Sequence, residues 1–217
     1  MKIMQIPVGH MEVFCYLVYD EESLEGILID PAGDEEKLLE TLREKGITLR
    51  YIINTHGHAD HTCGNDRLRK ATGAPVVMHA LDDDFFQQPE FKGWAGLMGL
   101  DAASPADIRV EDGSTLTFGK LTMKFLHTPG HTPGACCIFI GGNLFTGDTL
   151  FVGAVGRTDL PGGSLQELLH SIKVKILTLP PDTIVWPGHD YGDRPNSTVR
   201  HEMETNPYIT DFLSGDD

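Results

Sequence analysis

Apolar positions along this chain shift between a two-residue period, a three-to-four-residue period and short unbroken runs, and those shifts mark out the elements. The first thirty residues read as strands at 2–6, 12–19 and 26–29, with turns at 20–25. Leu38, Leu39 and Leu42 then recur at helical spacing across 34–45, and Gly46 supplies a stop. Residues 50–54 form a buried strand, 65–72 a short helix, 75–78 a strand and 81–86 another short helix. No clean period runs through 87–107, where Phe91, Trp94, Leu97 and Met98 are scattered among glycines. That segment reads as irregular cover over core, with a lid over a cleft as the alternative. Strands return at 109–110, 116–118, 121–126 and 135–140, and Gly141-Gly142 turns the chain into 143–146. Ser164 and Glu167 form a capping box that opens a helix to about residue 176. Residues 183–186 read as the last strand and 196–204 as the last helix. By pattern alone the chain is mixed α/β.

Composition narrows the class. At 217 residues, 40% hydrophobic and 8% aromatic, the chain carries enough apolar side chain for a single α/β domain spanning 1–217. Its start lacks a basic stretch followed by an apolar one, so no signal peptide is expected. The longest run without Asp, Glu, Lys or Arg, 125–147, contains His127, His131, two prolines and several glycines, which excludes a membrane helix. Cys15, Cys63, Cys136 and Cys137 make no disulfide framework, and the adjacent pair falls on a strand, facing opposite ways. A soluble, cytoplasmic protein is expected. The formal net charge of −15 argues against nucleic acid as a partner, since phosphate binding needs clustered Lys and Arg.

The chemistry is concentrated after the strand at 50–54. His56, His58, Asp60 and His61 place three imidazoles and a carboxylate within six residues. In extended backbone His56 and His58 point the same way, and Asp60 and His61 fall on the following turn. Nitrogen and oxygen ligands suit zinc, manganese or ferrous iron, and a structural all-cysteine site is excluded. Buried together without a cation, such groups would cost several kcal/mol (about 2–7 for one unpaired polar group). Cys63, two residues past His61, reads as a small buried filler.

The run Thr55-His56-Gly57-His58-Ala59-Asp60-His61 resembles the signature of the metallo-β-lactamase superfamily. Four further motifs follow the family order: Ile29-Asp30-Pro31-Ala32-Gly33, Thr128-Pro129-Gly130-His131, Thr146-Gly147-Asp148-Thr149-Leu150 and Pro187-Gly188-His189-Asp190-Tyr191. The resemblance implies an αββα sandwich, two mixed sheets packed together with helices outside and metals at one end. It implies one metal on His56, His58 and His131, a second on Asp60, His61 and His189, and Asp148 as the bridge. Two divalent ions are expected, zinc first, with iron or manganese as alternatives. Asp30 would support the ligands from behind, and His127 would be a structural neighbour.

Within the superfamily the chain is similar to the glyoxalase II branch, the hydroxyacylglutathione hydrolases. The run Arg157-Thr158-Asp159-Leu160-Pro161-Gly162-Gly163 looks more like its short single-domain members, the type II glyoxalases. The resemblance implies a metallohydrolase cleaving a thioester such as S-(hydroxyacyl)glutathione by a metal-bound hydroxide. A metal with an open position lowers the pKa of bound water from about 16 toward ~7. Asp60 would orient the nucleophile and pass its proton on. Arg157 and Tyr191 would bind a glutathione-type thiol, by a guanidinium fork and by a ring face with a hydroxyl. Each has a second reading: Asp159 is an ion-pair partner for Arg157, and Tyr191 can pack with a satisfied hydroxyl. Persulfide dioxygenases share these segments and use one ferrous iron at the positions of His56, His131 and Asp148, so a mononuclear dioxygenase is the alternative, followed by another metallohydrolase such as a lactonase.

Overall fold

The computed structural model describes residues 1–97 and 99–213, without the side chains of Lys92 and Trp94. Strands β1 (Lys2–Val8), β2 (Val13–Tyr19), β3 (Glu25–Ile29), β4 (Thr48–Ile53), β5 (Val76–His79) and β6 (Ile108–Val110) form one sheet in that order. The first three pair antiparallel, and β3 to β6 pair in parallel. Each parallel step needs a crossover. The crossovers are α1 (Glu35–Lys45), then α2 (Ala59–Thr62) with α3 (Asn65–Thr72), then α4 (Ala80–Phe86) with α5 (Pro89–Leu97).

A second sheet contains β7 (Thr115–Phe118), β8 (Leu121–His127), β9 (Cys136–Ile140), β10 (Asn143–Gly147), β13 (Ile184–Pro187) and β14 (Ser197–Thr198), in the order β14-β13-β10-β9-β8-β7. Between β10 and β13 lie a small two-stranded ribbon, β11 (Leu150–Phe151) with β12 (Ala154–Val155), and helix α6 (Leu165–Ser171), which runs on into a π-helical turn at Ile172–Ile176. Helices α7 (Val199–Thr205) and α8 (Pro207–Thr210) follow.

Alternation along the strands explains the layering, because successive side chains take opposite faces. In β2, Phe14, Tyr16 and Val18 point between the sheets and meet Phe118, Phe125, Ile138 and Phe145 from the second sheet. Val13, Cys15 and Leu17 point outward and meet Leu38 and Leu42 of α1 and Leu68 of α3. The second sheet repeats the arrangement: Cys136 faces inward, while Cys137 and Leu144 face outward against Leu168, Ile172 and Val199. Two mixed sheets with helices on both outer faces are therefore the observed architecture, as the sequence led us to expect. Both faces of the central strands are buried, so β2 reads Val-Phe-Cys-Tyr-Leu-Val-Tyr with no polar alternation. All four cysteines are free. Among the described residues no helix is long and apolar enough to cross a membrane.

The structure corrects several expected elements. Residues 87–107 are not irregular throughout, because Pro89–Leu97 is a helix with Pro89 at its first turn. Phe91 and Ala95 sit one turn apart and are both buried, a helical pair that Gly93 and Gly96 disguise in the sequence. Phe91 packs on Phe85 and Phe86, so it covers core, as the first of the two readings had it. Met98 and the side chain of Trp94 lie outside the described residues. The strand at 183–186 is not the last, since Ser197–Thr198 pairs with β13 and delays the helix expected from 196 until Val199. The capping box keeps one arm: Ser164 Oγ accepts from the Glu167 amide, while the Ser164 amide donates to the Gly130 carbonyl instead.

Phe125 is fully buried between the sheets. Phe125→Ala is expected to remove about 3–5 kcal/mol of unfolding free energy, read from urea denaturation, by leaving a void between two layers that cannot collapse onto each other.

Candidate metal centre

One end of the two-sheet stack collects the C-terminal ends of β3 and β4 from one sheet and of β8, β10 and β13 from the other. Asp30 directly follows β3, and from the end of β4 the chain runs through Asn54 and Thr55 into His56 and His58. Helix α2 begins directly after His58 and turns Asp60 and His61 back toward the same centre. The loop after β8 brings His131, Asp148 directly follows β10, and His189 lies two residues beyond β13. Two glycines make the close approaches possible. Gly147 adopts φ 48° against the Thr55 side chain, and a Cβ on Gly57 would run into the Phe86 ring.

The ligand-type atoms of His56, His58 and His131 lie within 4.8 Å of one another, and so do those of Asp60, His61 and His189. Asp148 sits between the two groups. Its Oδ1 is 3.5 Å from His61 Nε2, and its Oδ2 is 3.7 Å from His131 Nε2 and 3.6 Å from His189 Nε2. Across each group ring nitrogens face each other, His58 Nδ1 to His131 Nε2 at 2.9 Å and His61 Nε2 to His189 Nε2 at 3.3 Å. The seven residues expected from the sequence are thus brought to one place.

Four of the five imidazoles, those of His56, His61, His131 and His189, are fixed from behind, which sets the nitrogen each presents. Thr55 Oγ1 donates to Asp30 Oδ2 at 2.6 Å, so it accepts from His56 Nδ1 at 3.1 Å and leaves His56 Nε2 facing inward. His61 Nδ1 donates to Asp30 Oδ2 at 3.0 Å, and His131 Nδ1 donates to the Arg157 carbonyl at 2.8 Å. His189 is held by the Met11 backbone. Asp30 spends its other oxygen on the Thr55 amide, 2.8 Å away, and it does so from a left-handed backbone position at φ 50°. Its oxygens are committed behind the histidines, although Asp30 also groups with His56 and His61 within 4.8 Å.

This inward-facing set fits a divalent metal. His56 Nε2 and Asp148 Oδ1 are buried without a hydrogen-bond partner, which is costly unless an ion takes them. Protonation shows the same imbalance. Burial and the neighbouring imidazoles hold His56 well below its ordinary range, and burial with His131 brings His58 down to about 3. Burial also lowers His189. His61 goes the other way: burial opposes its charge, yet Asp148, Asp60 and Asp30 together push it up to about 10. The carboxylates need a positive charge in their midst, and nitrogen and oxygen donors of this kind take zinc, iron or manganese.

Around the centre lies a cleft of about 470 Å³ reaching from Met11 and Tyr191 to Phe86, Phe91 and Leu160. Tyr191 is 64% exposed, and its ring stacks on His189 with centroids 4.9 Å apart and planes 8° apart. The Arg157 guanidinium lines the cleft but forks onto Asp159, Nε to Oδ1 and Nη2 to Oδ2 at 2.8 Å each. That ion pair holds the Asp159 carboxyl down at about 2. His127 faces away, stacked on His79 with Nε2 at 2.9 Å from the Pro133 carbonyl. Burial, with Glu35 and Asp60 nearby, pushes the Cys63 thiol up to about 11, which suits a filler and not a nucleophile.

Asp82 escaped the sequence reading. It is fully buried, and its carboxylate accepts from the Gly57 amide at 2.8 Å, the Thr132 hydroxyl at 2.7 Å and the Gly134 amide at 2.6 Å. One side chain therefore ties the loop of His56 and His58 to the loop of His131. Burial pushes its carboxyl up to about 6 against the pull of those three donors. In the sequence it is one of three consecutive aspartates opening a short helix, which reads as a solvated first turn.

A two-sheet stack with a histidine and carboxylate centre at its strand ends defines a metal-binding, metallohydrolase-like protein. Residues 8–189 match the model of the metallo-beta-lactamase superfamily, and the chain belongs to that superfamily. It is 36% identical over 202 residues to the mitochondrial persulfide dioxygenase ETHE1 of Homo sapiens, covering 91% of this chain and 71% of that protein. It is 33% identical over 213 residues to the hydroxyacylglutathione hydrolase GloC of Haemophilus influenzae, covering 96% and 98%. The crystal structure of the B3 metallo-beta-lactamase BLEG-1 superposes with a TM-score of 0.87 at 37% identity, covering 96% of this chain and 100% of that one.

Asp82→Ala is expected to lower the unfolding free energy of the metal-free protein by about 3 kcal/mol, measured in urea, because it strands buried donors on two loops at once.

Proposed function

We propose that this chain is a two-metal hydrolase cleaving the thioester of a small-molecule thiol, with glutathione as the expected carrier. His56, His58 and His131 would hold one ion, Asp60, His61 and His189 the other, and Asp148 would serve both. The observation that carries this reading is Asp148 itself, whose two oxygens lie 3.5–3.7 Å from histidines of both groups. Divalent ions in such a site supply Lewis acidity toward a carbonyl oxygen and acidify water.

The chain's own residues would do the rest. Asp60 keeps a carboxylate at the cleft floor whose pKa burial raises, while His61, His58 and His189 pull it down to a net lowering. It is therefore ionised at neutral pH and able to take up and pass on a proton. Tyr191 offers a ring face and an exposed hydroxyl at the mouth, over His189. The Arg157 fork is the site's cation for an anionic carrier, and it must leave Asp159 to act. Exposed pairs of this type are worth only about 0–1 kcal/mol, so the exchange is cheap. The four free cysteines support a reducing, cytoplasmic setting.

A second reading, a mononuclear iron dioxygenase acting on a persulfide, is favoured by the likeness to ETHE1 and would use His56, His131 and Asp148 alone. Metal analysis separates the two. The hydrolase reading expects close to two metals per chain and thioester cleavage without oxygen, and one iron per chain with oxygen uptake on glutathione persulfide would replace it. Asp148→Asn is expected to lower bound metal at both positions, read by elemental analysis after dialysis. Arg157→Met should raise KM for a glutathione thioester severalfold with kcat little changed; an unaltered KM would remove Arg157 from carrier binding.

A further inference from the structure

The cleft beside the metal centre is asymmetric, and its asymmetry bears on what the bond to be cleaved is attached to. Phe86 stands directly against the centre, its ring 5.2 Å from the His58 ring, and Phe91 packs on it at 5.2 Å. Both are under 10% exposed and belong to a packed cluster with Met78 and Ala103, so this wall is rigid and already in place. Ala95, one turn along α5, and Leu160 extend it toward the mouth. At the lip, Met11, Leu97 and Tyr191 line the same cleft while remaining 52%, 88% and 64% exposed. Large apolar side chains left in water around one concave opening mark a surface that gains by being covered. Charge is scarce on that side. Among the described lining residues Arg157 is the cation, and its fork is held by Asp159.

We infer that the wall formed by Phe86, Phe91, Ala95 and Leu160 is a subsite for an uncharged, apolar acyl group of several carbons. The inference rests on the thioesterase reading and deepens it. A small hydroxylated acyl group such as lactoyl would not extend along the wall and would bring a hydroxyl to a surface offering it no partner. A dicarboxylic acyl group would set a second carboxylate against a wall of apolar side chains that offers it no donor. An apolar chain of about four to six carbons instead buries methylenes against aromatic rings that pay no ordering cost, because packing has already fixed them.

The test uses the metal-loaded protein and two carriers, glutathione and the neutral N-acetylcysteamine, each esterified with lactoyl, acetyl, butyryl and hexanoyl groups. Each methylene that enters the wall is worth about fourfold in binding, so hexanoyl should exceed acetyl in kcat/KM by about tenfold or more on both carriers. Lactoyl should fall near acetyl. Leu160→Asp should cut the hexanoyl-to-acetyl ratio about tenfold. Equilibrium binding of S-hexylglutathione against S-methylglutathione gives a readout free of turnover, and the hexyl compound should bind at least about tenfold tighter. A flat or inverted chain-length series, or equal binding of the two S-alkyl compounds, overturns the apolar subsite while leaving the thioesterase standing. Tighter binding of the hexyl compound with no thioester cleaved on either carrier supports the subsite and overturns the thioesterase.

Discussion

The structure depends on crowding imidazoles and carboxylates of one ligand type against one another at the floor of a cleft. His58 and His131 bring two ring nitrogens to 2.9 Å, and His61 and His189 bring two more to 3.3 Å, with Asp60 and Asp148 beside them. Left alone, such a cluster would spread apart. What prevents this is a layer of acceptors behind the rings: Asp30 through Thr55 for His56, Asp30 again for His61, the Arg157 carbonyl for His131 and the Met11 backbone for His189. These contacts spend the outward nitrogens on protein and reserve the inward ones for a cation.

The two sheets make that layer stiff. Tyr16, on β2 of the first sheet, donates its hydroxyl to the Pro187 carbonyl on β13 of the second, and the Phe14 amide donates to the Gly188 carbonyl at 2.8 Å. The strand that delivers His189 is therefore anchored to the opposite sheet one and two residues before the histidine. Asp82 does the same between the loops of His56 and His131. The first tie is two hydrogen bonds and the second three, all in dry surroundings, where hydrogen bonds are strong and costly to lose.

Much of this was legible in the sequence, for identifiable reasons. Ligand-type residues clustered at 56–61 and the ordered glycine-rich motifs after each strand are local signals, and the structure gathers those residues at one end of the stack. The unbroken apolar run of β2 announced a strand buried on both faces. What stayed hidden is non-local or masked by composition. Asp82 looks like one of three solvated acids until the chain folds and two distant loops present their amides to it. Helix α5 was obscured by Gly93 and Gly96, because its helical character comes from packing Phe91 and Ala95 inward. The short strand at Ser197–Thr198 exists only because β13 is there to pair with it. Arg157 carried two readings, and the contact made in the structure is the fork onto Asp159.

Arg157 also joins two duties that are chemically independent. Its main-chain carbonyl orients His131, while its side chain lies exposed at the mouth of the cleft. Any residue at this position supplies the carbonyl, so the reactive interior is insulated from what happens at the entrance. A substitution of Arg157 would therefore change the charge at the entrance while leaving in place the contact that orients the imidazole beneath.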